Sequence, residues 1–316
     1  MAEKSKIVIV ITGPTASGKT SLALRVARHF QTGIISADSR QCYREMSIGT
    51  AKPTAEQLRE VKHYFVNSHS ITADLNAGMF ETLGLGYAQS IFAKKNIAVL
   101  CGGTGLYIKA FCEGLDEMPA VPQEVRKRVR AFYARQGIAG LQKALRLEDP
   151  VFCRLCSQGA EWQNPHRLMR ALEVSEATGK SILTFRKNQK SPRDFGIIKI
   201  GLEIPRERLW QNILQRTDQM ITLGLEHEVK RLMPYRSLNA LQTVGYTEMF
   251  DYFDGRCSLE EAVKNINIHT RQYAKRQMTW FKKDTQIHWF SPDEPENILD
   301  FLQHETANFA SCNTRN

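Results

Sequence analysis

No run of about 20 consecutive apolar residues occurs in the chain, so no helical membrane span is expected. Cysteine is sparse, seven in 316 residues. That excludes a disulfide-stapled scaffold and suits a reducing compartment, so a cytoplasmic location is expected. Cys153 and Cys156 form a lone C-x-x-C with no second pair and no histidine cluster to complete a zinc site; two cysteines one helical turn apart are the simpler reading. Internal repeats and low-complexity segments are absent. Met1-Ala2-Glu3-Lys4-Ser5-Lys6 leads directly into an apolar run, where no signal peptide is expected. Negative charge is also short: 33 acidic against 43 basic residues leave a net charge of +10. A polyanionic partner would explain that excess, because Lys and Arg gain affinity by releasing phosphate counterions; so would an ordinary basic surface.

Against these absences stands one strong motif. Gly13-Pro14-Thr15-Ala16-Ser17-Gly18-Lys19-Thr20 has the spacing G-x-x-x-x-G-K-S/T and follows the apolar run Ile7-Val8-Ile9-Val10-Ile11. A strand turning through a Gly-rich loop into a helix builds a phosphate cradle, in which amide N–H groups and the helix dipole face the anion. Lys19 can reach outer phosphate oxygens and the Thr20 hydroxyl can ligate Mg²⁺. The motif says that a phosphorylated ligand binds, not what becomes of it.

Strand-like runs recur at residues 6–11, 34–36, 97–100, 197–202 and 287–290, separated by helical patterns. This alternation predicts an α/β fold: a P-loop NTPase-like parallel sheet flanked by helices. Between residues 115 and 194 the strands stop, charge becomes dense, and helices are expected over 125–135, 140–147 and 167–177. We read that stretch as a helical insertion domain within a core formed by residues 1–114 and 195–305. Residues 306–316 are polar and are expected to form a flexible tail.

Three strand ends should meet at the phosphate loop. The second ends in Ser36-Ala37-Asp38-Ser39-Arg40-Gln41, which places Asp38 one strand over from Lys19. There it could accept a proton, or serve only as a turn or cap aspartate. The third runs through Ile97-Ala98-Val99-Leu100 into Cys101-Gly102-Gly103-Thr104 and lacks the acid that holds the Mg²⁺ shell in hydrolysing P-loop enzymes. Two glycines there permit close backbone approach, and Thr104 offers a hydroxyl. Basic residues crowd three helices: Arg126, Lys127, Arg128 and Arg130; Arg167 and Arg170; and Arg271, Lys275, Arg276, Lys282 and Lys283, with Trp280 and Phe281 interleaved. One such helix is usually a solvated face. Three, some with aromatics able to stack on bases, favour RNA.

These segments resemble the bacterial tRNA dimethylallyltransferase family. The resemblance rests on residues 13–20 and 36–41, Ile-Gly-Thr-Ala-Lys-Pro-Thr (48–54), Gly-Gly-Thr-Gly-Leu-Tyr-Ile-Lys-Ala (102–110), Arg-Ala-Leu-Glu-Val (170–174), Val-Gly-Tyr (244–246) and Thr-Arg-Gln-Tyr-Ala-Lys-Arg-Gln-Met-Thr-Trp-Phe (270–281). They run in order through nearly the whole chain. The resemblance implies transfer of a dimethylallyl group from dimethylallyl diphosphate to the exocyclic amine of the adenosine 3′-adjacent to the anticodon. By it, the loop with Lys19 and Thr20 holds the diphosphate with Mg²⁺, Asp38 is the general base, Thr104 sits beside the bridging oxygen, and Arg216 binds diphosphate. It implies contacts to the tRNA anticodon stem-loop from Asp38, Ser39, Arg40, Gln41, Thr104, Arg126, His166, Arg167, Arg170, Gln242, Gly245, Tyr246, Lys275, Arg276, Gln277, Trp280 and Lys282. A monomer is expected. The chain departs from the family in lacking His-Pro-Asn-Asp before Arg167, where residues 156–166 also run longer, and in Ser47 and Cys42. A small-molecule P-loop kinase, an isopentenyltransferase acting on free AMP, and a nucleotide-gated RNA-binding protein are the rival readings. The first and second leave the basic helices unexplained, and the third has no need of Asp38 and Thr104.

Overall fold

The computed structural model describes residues 6–312. The chain divides into two compact units: a larger one ending at Glu113 and resuming at Pro192, and a smaller one spanning Gly114–Ser191.

In chain order the larger unit begins β1 (Ile7–Thr12), α1 (Lys19–His29), β2 (Ile34–Ser36), α2 (Ala55–Glu60), β3 (His63–Tyr64), α3 (Ala77–Phe92), β4 (Ile97–Cys101) and α4 (Gly105–Glu113). The smaller unit contributes α5 (Gln123–Glu148), α6 (Pro150–Cys156) and α7 (Pro165–Thr178). The larger then resumes with β5 (Gly196–Leu202), α8 (Arg206–Thr222), α9 (Leu225–Leu232), α10 (Tyr246–Phe253), α11 (Leu259–Phe281), β6 (Ile287–Phe290) and α12 (Pro295–Cys312). Every strand pairing is parallel, in the order β3-β2-β4-β1-β5-β6. Such a sheet buries both faces, which is why β1 reads as an unbroken apolar run and every one of its residues is buried.

The strand order corrects one expectation. β4 lies between β1 and β2, so Asp38 stands two strands from the phosphate loop, not one. Gly102 makes this compatible with a shared site. Its amide donates to Ile11 O at 3.2 Å, and a Cβ on it would stand 2.2 Å from Ala37 O, so the end of β4 is pinched between its neighbours. β3 escaped notice in the sequence because two residues carry no periodicity.

A second correction concerns the C-terminal segment. α12 continues past Thr306 to Cys312. Ile298, Leu299 and Leu302 pack into the sheet core, and Phe309 extends that face by covering Gly196. A helix with an anchored apolar face does not end where composition turns polar. The rest of the expected tail and the first five residues lie outside the described residues.

The smaller unit packs α5 against α7 around Leu141, Leu145, Phe152, Trp162 and Leu168. Gly137, at φ 62°, breaks α5 into the two helical stretches read from sequence. The longer 156–166 segment forms a 3-10 turn (Ala160–Gln163), after which the Asn164 side chain caps α7 by accepting from His166 N at 3.0 Å and Arg167 N at 3.3 Å. No helix among the described residues is long and apolar enough to cross a membrane.

The pinch at Gly102 gives a test. Gly102→Ala drives a methyl group into a strand carbonyl, and overpacking of this kind costs about 1–3 kcal/mol. The urea midpoint should fall accordingly; an unchanged midpoint would show that β4 can move away from Ala37.

Candidate active site

The phosphate loop owes its shape to backbone that only particular residues tolerate. Gly13 (φ 145°) brings its Cα against Leu202 O, where a Cβ would lie at 2.9 Å, and Gly18 (φ 89°) is the N-cap of α1. Ala16 also takes a positive φ, 62°. Unlike α2, α3 and α11, which Thr54, Asn76 and Ser258 cap, α1 has no capping side chain and no acid in its first turn. Its first amides and positive dipole end are left for an anion. Ser17 Oγ is buried in the loop with no partner among the described residues.

Three distant side chains set this loop. Gln277 of α11 accepts from Thr15 N at 2.8 Å and donates to Gly103 O at 2.9 Å, tying the loop to the end of β4. Asn212 of α8 donates to Ala16 O at 3.0 Å. Arg216, one turn further along α8, donates to Thr15 Oγ1 at 3.1 Å.

The result is a compartment of about 140 Å³ walled by the loop, Asp38, Gly102, Gly103 and Arg216. Lys19 donates to Pro14 O at 2.5 Å there. Its ammonium is pulled down to about 8, chiefly by burial and also by Arg216, with Cys101 and Asp38 pulling the other way. Burial also lowers the Arg216 guanidinium, opposed by Asp38. The Cys101 thiol, which stands where hydrolysing enzymes carry an acid, is pushed up to about 11 by burial and is inert. Thr20 lines the same compartment.

Asp38 plays the turn role that its sequence position suggested: Oδ1 accepts from Arg40 N at 2.8 Å and Gln41 N at 3.2 Å. Its second oxygen has no hydrogen-bond partner among the described residues. Thr104 Oγ1 accepts from Ser39 N at 3.1 Å and donates to Ser39 Oγ at 3.4 Å, and burial pushes the Tyr273 hydroxyl up to about 12. Asp38, Arg216 and Tyr273 also line a second cavity of about 510 Å³, walled further by Ser39, Arg40, Gln242, Gly245 and Arg276. The two cavities meet at the carboxyl ends of β1, β4 and β2.

Some residues named from the sequence as RNA contacts have their polar groups engaged inside the protein. Tyr246 is 0% exposed, and its hydroxyl donates to Glu228 at 2.7 Å. Glu228, buried on α9, also accepts from the amides of Ser47, Ile48 and Gly49, so the pair shapes the 47–49 turn and offers no surface to RNA. Gln277 is buried and its amide is spent on the loop. Gln41 likewise spends its amide on Thr50 O, Ala51 O and Ser36 Oγ.

Lys275 and Arg276 are exposed on α11, and Trp280 lies 40% exposed against Gly105. Lys282 pairs with Glu203 at 2.6 Å and covers the Trp289 ring. In the smaller unit His166 is exposed at the start of α7, Arg167 pairs with Glu161, Arg170 lies 3.5 Å from Glu173, and Arg126 is half-buried with Nε unpartnered among the described residues. Sequence reasoning missed Gln277 as a clamp, Glu228, Asn212 and Tyr273. Only Tyr273 and Gln277 carried a signal, through their place in the 270–281 segment.

A P-loop cradle at the carboxyl edge of a parallel sheet, with two buried cations and one carboxylate, defines a protein that acts on a phosphorylated ligand. The model of the IPP transferase family matches residues 41–284. The chain is 46% identical to the tRNA dimethylallyltransferase of Christiangramia forsetii, over 95% of this chain and 98% of that protein. It is 44% identical to the tRNA dimethylallyltransferase of Cytophaga hutchinsonii, over 95% and 97%. The crystal structure of the tRNA isopentenylpyrophosphate transferase from Bacillus halodurans superposes with a TM-score of 0.72 at 32% identity, covering 98% of this chain and all of that one. The chain therefore belongs to the IPP transferase family.

The lowered Lys19 ammonium makes anion binding pH-dependent. Below about pH 8 Lys19 is charged and binds directly; above it the free protein holds a neutral amine that must take up a proton on binding. Affinity for inorganic diphosphate, measured calorimetrically, should decline above pH 8, approaching about tenfold per pH unit. A flat profile from pH 7 to 10 would mean that Lys19 does not meet the anion.

Proposed function

We propose that the chain transfers the dimethylallyl group of dimethylallyl diphosphate to the exocyclic amine of the tRNA adenosine 3′-adjacent to the anticodon, releasing diphosphate. The observation that carries this reading is Asp38: a carboxylate oxygen with no hydrogen-bond partner among the described residues, at the junction of a small cationic compartment and a larger cavity lined by Arg40 and Arg276. The names of the relatives at 44% and 46% identity support it.

The two compartments divide the chemistry. An allylic diphosphate reacts by loosening its C–O bond, so charge accumulates on the departing diphosphate and a delocalised cation forms on carbon. Donors already aimed at that charge lower the barrier without reorganising. Lys19, Arg216 and the uncapped start of α1 supply them in the 140 Å³ compartment. The aryl amine is a weak nucleophile. As the C–N bond forms, its proton passes to the open oxygen of Asp38, while Oδ1 stays fixed by the turn. Thr104, whose Oγ1 accepts from Ser39 N, supplies a hydroxyl for the bridging oxygen. The adenine must leave its stack to enter the larger cavity, at a cost met by contacts to the rest of the loop.

Mg²⁺ fits this site in one manner. No cluster of three acidic, Cys or His ligands exists among the described residues, so the protein supplies no cage. Mg²⁺ commonly takes one protein oxygen and completes its shell with phosphate and water, and the Thr20 hydroxyl lines the compartment for that role. When bound, the ion adds charge stabilisation to the diphosphate. The basic helices supply the RNA contacts, with Lys275 exposed on α11 and Arg276 beside the Tyr273 ring at the cavity wall. The working unit is a single chain, and the compartment is the cytoplasm where tRNA is matured.

Asp38→Asn keeps the turn, because an amide oxygen can still accept from Arg40 N and Gln41 N, but it removes the base. Turnover of dimethylallyl diphosphate with unmodified tRNA should fall by roughly 10²–10⁴-fold with tRNA affinity retained. Near-wild-type turnover at saturating substrates would take Asp38 out of the reaction.

A further inference from the structure

We propose that His269 is a hydrogen-bond acceptor for the nucleotide beside the reacting adenosine, and that buried Glu248 positions it. This rests on the reading that the larger cavity receives the tRNA loop.

Glu248 lies on α10 with its side chain 4% exposed. Its Oε2 accepts from Gly245 N at 2.7 Å and from Thr247 Oγ1 at 3.0 Å, and its Oε1 lies 2.6 Å from His269 Nδ1. An ionised carboxylate only accepts, so the ring donates to Oε1 from Nδ1. That fixes the tautomer of the neutral ring and leaves a lone pair on Nε2. The ring makes no other hydrogen bond among the described residues, its side chain is 47% exposed, and it lines the 510 Å³ cavity. Such a wall group is oriented for a donor that arrives from outside the protein.

The helix gives its position. His269 precedes Tyr273 by four residues and Arg276 by seven, so the three share one face of α11, and all three line the cavity. Tyr273 marks the reaction end, being shared with the phosphate compartment. Four residues advance about 6 Å along the axis. That is too far for the amine under attack and suited to its neighbour in the loop. An acceptor requires a donor, which in RNA is a ribose 2′-hydroxyl or a base N–H. A phosphate offers neither.

His269→Asn can keep the Glu248 bond through its amide nitrogen while deleting the acceptor; His269→Gln can place an amide oxygen near the lost Nε2. KM for unmodified tRNA should rise about 2–10-fold in H269N, more than kcat falls, and recover partly in H269Q. Heat protection by dimethylallyl diphosphate should match wild type in both. Glu248→Gln donates to Nδ1 and moves the ring hydrogen to Nε2. It should therefore raise KM as H269N does, with no further rise in the double variant. Anticodon stem-loops carrying one 2′-deoxyribose, or one purine without its amine, beside the reacting adenosine separate the two donors. The one that matters should weaken wild type and leave H269N unaffected.

An H269N KM equal to that of wild type would overturn the proposal. So would a drop of about 0.7–0.9 in the slope of log affinity against log salt, which would show that the ring meets a phosphate as a cation. Absence of any tRNA modification by wild type would instead overturn the functional reading beneath it.

Discussion

Two buried cations held in one small compartment with a single carboxylate are the constraint on which the rest of the structure depends. Lys19 and Arg216 are both lowered by burial, and Asp38 is the carboxylate that opposes this for each of them. A desolvated charge is costly unless it is paired, and here two face one. The surplus is positive, and the α1 N-terminus adds to it. The site is therefore incomplete electrostatically until an anion enters, which is what a diphosphate brings.

The surrounding architecture holds this arrangement with neutral groups. Gln277 and Asn212 fix the loop through amide bonds to backbone, adding no charge that would cancel the surplus. Glu228 is acidic, but its oxygens are consumed by three amides and the Tyr246 hydroxyl. Asp38 is thus the carboxylate with an oxygen to spare at the compartment, and the pinch at Gly102 lets it stand there although β4 separates its strand from the loop.

Much of this was legible in the sequence, for reasons that also mark where legibility ends. The phosphate loop announces itself because its glycines, lysine and threonine are local in the chain. The buried strands announce themselves as apolar runs, and the two stretches of α5 as separate helical patterns over 125–135 and 140–147. Strand order leaves no local trace, which is how β4 came to be missed between β1 and β2. Nor does a clamp such as Gln277, whose partner Thr15 lies 262 positions away. Family likeness marked Tyr246 and Gln277 as RNA contacts; their burial and internal hydrogen bonds make both supports of the site. The reach of α12 to Cys312 depended on Phe309 packing over Gly196, a contact that composition does not reveal.

The most direct test of the account is to incubate the purified chain with tRNA lacking hypermodification and either dimethylallyl diphosphate or ATP, then digest the RNA and identify its nucleosides by mass. The account predicts dimethylallyl adenosine beside the anticodon, with diphosphate released in equal amount, in the first reaction and unchanged RNA in the second. Unmodified tRNA in both, together with hydrolysis of ATP, would contradict it.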